Sequence, residues 1–342
     1  MEFQIIWFVL WGVLWGVYFM LDGFVMGAGI LHNLLGTSDG EKRVMINAIG
    51  PVWDGNEVWL ITAGGATFAA FPTTYALMFS YLYTALLLLL FALIVRGVSY
   101  EFRGKGEGDG WKKGWDMAIM VGNFLPALLF GVAFGNIFAG LPMDATGYHG
   151  SLLYLLNPYG LLTGVLFVLL FLVHGALYLA VKTTGDLNRR ALSTAGRIWP
   201  ALLVVAVAFL AYTNFATRLY DNYLAKPLLI VVPLCAVVAL LAIRIFLAKG
   251  KPLAAFASSS LTVLLVVGTG LVGLFPNLIP SNLDPAYSLT IFNSSSSLYT
   301  LKIMTVVAFI FVPIVICYKI WVYRIFRGTL SIDDVEADKQ AY

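Results

Sequence analysis

The chain has 342 residues, of which 60% are hydrophobic and 11% are charged, and its mean hydropathy is +0.88. Soluble domains average about 25% charged residues, so the composition excludes a soluble fold and implies a polytopic membrane protein. A net charge of +3 is too small to point to nucleic acid. The two cysteines, Cys235 and Cys317, fit no CxxC or metal spacing and read as buried small hydrophobes.

Apolar runs of about 20 residues or more mark candidate spans. The chain predicts an all-α membrane protein with nine of them, at about 4–31, 52–71, 74–96, 116–140, 158–181, 198–216, 227–247, 254–276 and 300–323. Together they form a single transmembrane domain, 1–330, followed by a polar, acidic and mobile tail, 331–342. The first run is too long for a signal-peptide core and has no basic leader, so it is expected to stay as a helix. Of the 21 Lys and Arg residues, 18 fall after the odd-numbered spans or in the last span and tail, and only Arg218, Lys226 and Lys302 fall on the other side. The positive-inside rule then predicts an outer N-terminus and a cytoplasmic C-terminus.

Span one carries Asp22, about 14 Å from the cytoplasmic helix end at about 1.5 Å per residue. A carboxylate that deep costs about 2.5–3.5 kcal/mol, so it must face protein or water. It reads either as a proton-handling or quinone-facing carboxyl or as a neutral, hydrogen-bonded packing residue. Gly12, Gly16, Gly23, Gly27 and Gly29 supply small faces for helix contact.

Span two, P-V-W-D-G-N-E-V-W-L-I-T-A-G-G-A-T-F-A-A-F (51–71), places Asp54 and Glu57 three residues apart, and Trp53 and Glu57 four apart, on one helical face. Pro51 suits the first turn, which puts Asp54 near the cytoplasmic mouth, where the helix dipole favours its charge. Crowding of the two carboxyls opposes the ionisation of one of them. The pair suits proton uptake; the plainer reading is a helix start decorated with acids.

In the later spans, Arg96 reads as a cation snorkelling to the interface. Pro126, between Gly122 and Gly131, predicts a kink, and Asn123 and Asn136 read as interhelical hydrogen-bond partners. His174 lies inside span five, but two-histidine haem ligation needs a second histidine at that depth, and His32 sits at a helix end, so a structural role is expected. Gly12 precedes Asp22-Gly23 by the spacing at which Gly164 precedes His174-Gly175, a hint of a four-helix unit used twice. Trp7, Trp111, Trp115, Tyr154, Tyr159, Trp199, Trp321 and Tyr323 read as interfacial belts.

Several stretches resemble subunit II of the cytochrome bd-type quinol oxidases: L-D-G-F-V-M-G-A-G-I-L (21–31), the run from Arg43 to Pro72 with W-D-G-N-E-V-W-L inside it, G-V-A-F-G-N (131–136), L-L-N-P-Y-G-L-L-T-G (155–164), S-S-S-L-T (258–262) and L-F-P-N-L-I-P-S (274–281). The resemblance implies two four-helix bundles plus one peripheral helix in a bacterial cytoplasmic membrane. It also implies a partner subunit I that carries two b-type haems and one d-type haem, and a small single-helix accessory subunit. The implied complex oxidises membrane quinol and reduces O2 to water with cytoplasmic protons. By the same resemblance this chain holds no haem, and Asp54, with Trp53 beside it, marks the cytoplasmic entrance of a proton path; Glu57 and Asp22 are added to that path from the reading of the residues. A structural quinone occurs in some members; Trp53 and Asp22 are the candidate contacts here. Many members carry a second acid where this chain has Val25, so a role that needs both carboxyls is in doubt. The alternative from the residues alone is a secondary transporter, for which midplane acids and broken helices would be the signature.

Overall fold

The computed structural model describes residues 1–337; the rest of the predicted tail, 338–342, lies outside the described residues. The helices are α1 (Glu2–Ile30), α2 (His32–Leu35), α3 (Asp39–Ile49), α4 (Trp53–Ala70), α5 (Pro72–Tyr81), α6 (Tyr83–Phe102), α7 (Asp109–Ala139), α8 (Pro158–Lys182), α9 (Gly185–Ala216), α10 (Leu219–Ala225), α11 (Val231–Ala248), α12 (Pro252–Leu274), α13 (Leu298–Ile325) and α14 (Ile332–Ala337). Every predicted span coincides with a helix. Among the described residues, eight helices are long and apolar enough to cross a membrane. The ninth, α4, is 18 residues long and carries Asp54, Asn56 and Glu57 in its first two turns, which dilute its apolar character. The third span bends at Leu82 between α5 and α6, yet the hydrogen-bond ladder runs through the bend, from Leu82 N to Met78 O and from Leu86 N to Leu82 O, both 2.9 Å.

Helix starts follow local chemistry. Asn157 accepts from Gly160 N ahead of Pro158 at the head of α8, and Ser297 caps α13. Ser38 accepts from Glu41 N, and Glu41 reaches back to Thr37. This Ser38-x-x-Glu41 signature encodes α3, a surface helix the apolar runs could not reveal.

Two groups, α1/α4/α6/α7 and α8/α9/α11/α12, meet where α1 and α7 cross α8. Glycines set those crossings. A Cβ on Gly27 would lie 1.7 Å from the Phe171 carbonyl oxygen, and one on Gly131 would lie 2.6 Å from the Gly164 Cα. At that approach the backbones touch and no side chain fits between them. One hydrophobic core runs through both groups, with Trp15, Phe19, Phe130, Phe134, Phe167 and Phe171 in edge-on and stacked contact at its centre.

α13 is peripheral, and no residue of its most apolar stretch is buried. Polar contacts hold it. Trp7 Nε1 donates to Leu301 O at 3.2 Å and to Thr305 Oγ1 at 3.0 Å, and Lys182 Nζ donates to the carbonyls of Phe326 and Gly328 beyond its end. After α13 the chain folds back. Thr183 pairs with Leu330, and Val335 of α14 is buried against α3. The described part of the tail is therefore docked, contrary to the mobile end read from its polarity.

Three further expectations are corrected. Cys235 and Cys317 are exposed, because the apolar surroundings of α11 and α13 are the outer surface and not the protein core. Trp7, Tyr159 and Trp199 are buried, and their polar atoms pin helices through Leu301 O, Thr213 Oγ1 and Leu240 O. Arg96 does not snorkel: it is fully buried.

Candidate functional site

The first turns of α4 lie at the basic end of the bundle, and each residue there faces a different neighbour. Trp53 packs on Tyr100 of α6, ring centroids 5.5 Å apart. Asp54 is exposed. Gly55 leaves room for a cation: a Cβ there would sit 2.5 Å from Lys319 Nζ of α13. Asn56 is fully buried; its amide donates to Leu21 O at 2.8 Å, and its oxygen accepts from Tyr323 Oη at 3.2 Å and Lys319 Nζ at 3.4 Å. Asn56 thus ties α4 to both α1 and α13. Glu57 turns inward, half-buried, with Oε1 3.6 Å from Arg96 Nη1.

Behind Glu57 lies the most deeply buried charge pair. Arg96 Nη1 donates to Asp22 Oδ2 at 2.6 Å and Nη2 to Oδ1 at 2.5 Å, with both side chains fully buried. A planar guanidinium and a carboxylate meet as a two-bond fork here, and each neutralises a charge the membrane interior would not tolerate alone. Asp22 is therefore salt-bridged, an arrangement outside both sequence readings. Both its oxygens accept from the Arg96 guanidinium. The sequence did hold a signal for Arg96. Asp22 lies eight residues from the end of α1 and Arg96 six from the end of α6, so opposite charges sit at matching depth on neighbouring helices.

Around this pair are buried polar atoms without a protein hydrogen bond: Tyr18 Oη, Arg96 Nε and Glu57 Oε1. Exposure falls stepwise from Asp54 through Glu57 to the Asp22–Arg96 pair. The site brings together all four sequence-predicted residues, Asp54, Glu57, Asp22 and Trp53. It adds Arg96, Asn56, Lys319, Tyr323 and Tyr18, which sequence reasoning missed. Val25, where the family pattern has an acid, is fully buried among apolar groups.

A second polar cluster closes the basic end. Asp116 accepts from His32 Nε2 at 2.7 Å, Lys42 Nζ at 2.7 Å and Arg103 Nε at 2.5 Å. Arg103 and Lys112 also hold Asp39. Burial pushes His32 below the usual histidine range, against the pull of Asp116. Burial opposes the ionisation of Glu41, but hydrogen bonds from Arg190 and Thr37 overcome it and hold the carboxyl down at about 2.

His174 is satisfied inside the protein, as expected. Nε2 lies 2.9 Å from Met20 O, which can only accept, so Nε2 carries the proton and Nδ1 accepts from Ser259 Oγ at 2.6 Å. The ring also stacks on Phe256 at 4.8 Å. Asn123 bonds across helices to Tyr100, whereas Asn136 serves the loop carbonyl of Leu155 and Asn157. Among the described residues, no group of three His, Cys, Asp or Glu could hold a metal ion.

Comparison with known proteins gives one answer. The family model described as "Cytochrome bd terminal oxidase subunit II" matches residues 3–326. The chain is 38% identical over 329 residues to the cytochrome bd ubiquinol oxidase subunit 2 of Bacillus subtilis (strain 168), covering 95% of this chain and 96% of the relative. It is also 38% identical over 368 residues to the cytochrome bd-I ubiquinol oxidase subunit 2 of Escherichia coli (strain K12), covering 97% and 96%. A solved chain of the bd oxidase from Geobacillus thermodenitrificans superposes with a TM-score of 0.78 at 17% identity, over 95% of this chain and 99% of that one, which is a likeness of fold.

Proposed function

This chain belongs to the cytochrome bd terminal oxidase subunit II family, and from that premise we propose that it is the haem-free partner of subunit I in a quinol oxidase, and that it admits the protons that O2 reduction consumes. The haems, two of b type and one of d type, belong to subunit I in this reading; a small accessory subunit completes the complex. Its basic end faces the cytoplasm of a bacterial cell, as the Lys and Arg distribution supports. The transporter alternative falls with the family assignment.

The observation that carries the proton path is the gradient of burial at one mouth. An exposed carboxylate, Asp54, leads to a half-buried one, Glu57, and then to a neutralised buried pair flanked by polar atoms without protein partners. Buried polar groups in that state take ordered water, and a carboxyl with bound water can relay a proton through a membrane interior. Asp54 collects the proton, Glu57 passes it inward, and the Asp22–Arg96 pair lies beside the relay. Trp53 is a positioning residue, packed on Tyr100. Asp54 also heads a stripe of exposed residues on α4, Asp54, Val58, Ile61, Gly65 and Phe68, at helical spacing. Two positions on that side, Gly64 and Gly65, have open space beyond them. This face suits close docking of subunit I, which would seal the mouth from lipid and turn the path sideways.

The test is Asp54→Asn in the assembled complex. Quinol oxidase turnover is expected to fall about tenfold or more while the haem spectrum and subunit stoichiometry stay intact. Wild-type turnover in a fully assembled variant refutes the path. Glu57→Gln is expected to lose less, because water can bridge an amide at that step.

A further inference from the structure

Away from the proton path, a cleft of about 470 Å³ opens at the basic end of the second helix group, between the start of α9 and the turn from α11 to α12. Its charged lining consists of Arg197, Arg244 and Lys251, and no Asp or Glu lines it. None of the three makes an ion pair among the described residues, unlike their neighbours Arg189 and Arg190, which pair with Asp186 and Glu41. Lys251 also stands immediately before the first turn of the 23-residue α12, without a side-chain cap bond, so the positive end of that helix dipole adds to the same cleft. Apolar side chains, Leu192, Leu247 and Pro252, form the remaining walls.

A second feature lies on the same two helices, beyond the bond from Trp199 Nε1 to Leu240 O. Further along these helices lies a narrow apolar groove, with Leu202, Ala206 and Leu210 of α9 and Pro233, Val237 and Leu240 of α11 at its sides and residues of α8 and α12, among them Leu170 and Val266, behind them. Arg197 and Leu202 are five residues apart on α9, about 8 Å along the axis, and Arg244 and Leu240 are one turn apart on α11. Anion-binding groups at the helix ends with an apolar groove at greater depth on the same helices match the two halves of a membrane lipid. Free phosphate would use the cleft but not the groove. Basic pockets between transmembrane helices at this level take lipid head groups, and a paired guanidinium set suits phosphate oxygens better than a quaternary ammonium.

We propose that Arg197, Arg244 and Lys251 form a binding site for the phosphate head group of an anionic phospholipid, with an acyl chain in the α9/α11 groove. The site holds the α11–α12 hairpin to α9 at the membrane surface. It is independent of the proton-path reading and is tested without reference to turnover.

The test is lipid retention by the purified, delipidated whole complex, measured by native mass spectrometry during titration with phosphatidylglycerol or phosphatidylcholine. The wild type is expected to hold phosphatidylglycerol at least about tenfold better than phosphatidylcholine, and Arg197→Gln/Arg244→Gln is expected to lose that preference by about tenfold or more. Arg189→Gln, which removes an exposed cation outside the cleft, and Arg244→Lys, which keeps the charge, are expected to retain it. Excess inorganic phosphate is expected to leave the lipid in place. No lipid preference in the wild type overturns the proposal, whether or not the double variant assembles. So does preference kept in the double variant, or full displacement of the lipid by phosphate, which would mark a simple anion site.

Discussion

At the residue scale the controlling fact is the Asp22–Arg96 pair. Neither partner can stand alone in the apolar interior, so removing one leaves an uncompensated buried charge, which costs about 3–5 kcal/mol. Arg96→Met is therefore expected to destabilise the complex by about that amount, read as a fall in its melting temperature. Asp22→Asn combined with Arg96→Gln is expected to restore most of the loss, since no net buried charge remains. A melting curve for Arg96→Met that overlays the wild type would show that the pair does not bear on stability. The same pair explains the layout of the W-D-G-N-E motif. Glu57 is placed 3.6 Å from a guanidinium already engaged by Asp22, so it meets a cation whose charge is largely spent. Asp54, one turn earlier, remains in contact with the outside.

At the element scale, glycine decides how the helices cross. Gly27 of α1 lies against the backbone of α8 at Phe171 and Gly175, and any Cβ there drives α1 off α8. Gly27→Ala is expected to cost at or above the upper end of about 1–3 kcal/mol for overpacking, measured as lost assembly or a lowered melting temperature. Gly268→Ala in α12 is the control. Its nearest outside atom, Val232 Cγ1, is 3.8 Å away, so it should be neutral or slightly stabilising through the better helix propensity of alanine. Equal effects of the two substitutions would discard the close-crossing account. The α13 helix follows different rules: lacking a buried apolar stretch, it depends on the Trp7, Asn56 and Lys182 hydrogen bonds at its start, in its last two turns and just past its end.

At the scale of the whole molecule, charge is gathered at one end and locked into networks that join surface segments. His32 and Asp116 link α2 to α7, Glu41 and Arg190 link α3 to α9, and α14 lies across α3. These links make stability depend on pH in a definite direction. His32 is held below its ordinary value of about 6.5 by burial, so the unfolded chain binds more protons than the folded one as pH falls below that value. Its contribution is complete above about pH 6.5 and is lost as pH falls toward the lowered folded value. The melting temperature of the wild type is expected to drop as pH falls below about 6.5, and less steeply in His32→Gln. Equal slopes would remove His32 as the cause. Glu41 acts further down: its carboxyl, held at about 2, contributes above about pH 4.3 and is lost as pH falls through 2.

Much of this protein was legible from its residues alone. Apolar runs located the eight helices long and apolar enough to cross a membrane, because a crossing helix needs about 20 apolar residues. The Lys and Arg distribution sorted the loops into two sides, and the W-D-G-N-E stretch marked the start of α4, where Asp54 and Glu57 lie. These are local signals, and a linear reading recovers them. Tertiary structure alone decided what each buried polar group faces. Arg96 looks like a cation near a helix end until α1 brings Asp22 to the same depth. Lys319 reads only as one of the charges of the last span until α13 lays it against Gly55 and Asn56, and Cys235 and Cys317 look buried until α11 and α13 turn outward. The physical reason is that in a membrane an apolar neighbourhood in sequence can mean either protein core or surrounding lipid. Only the packing of the helices against one another tells the two apart.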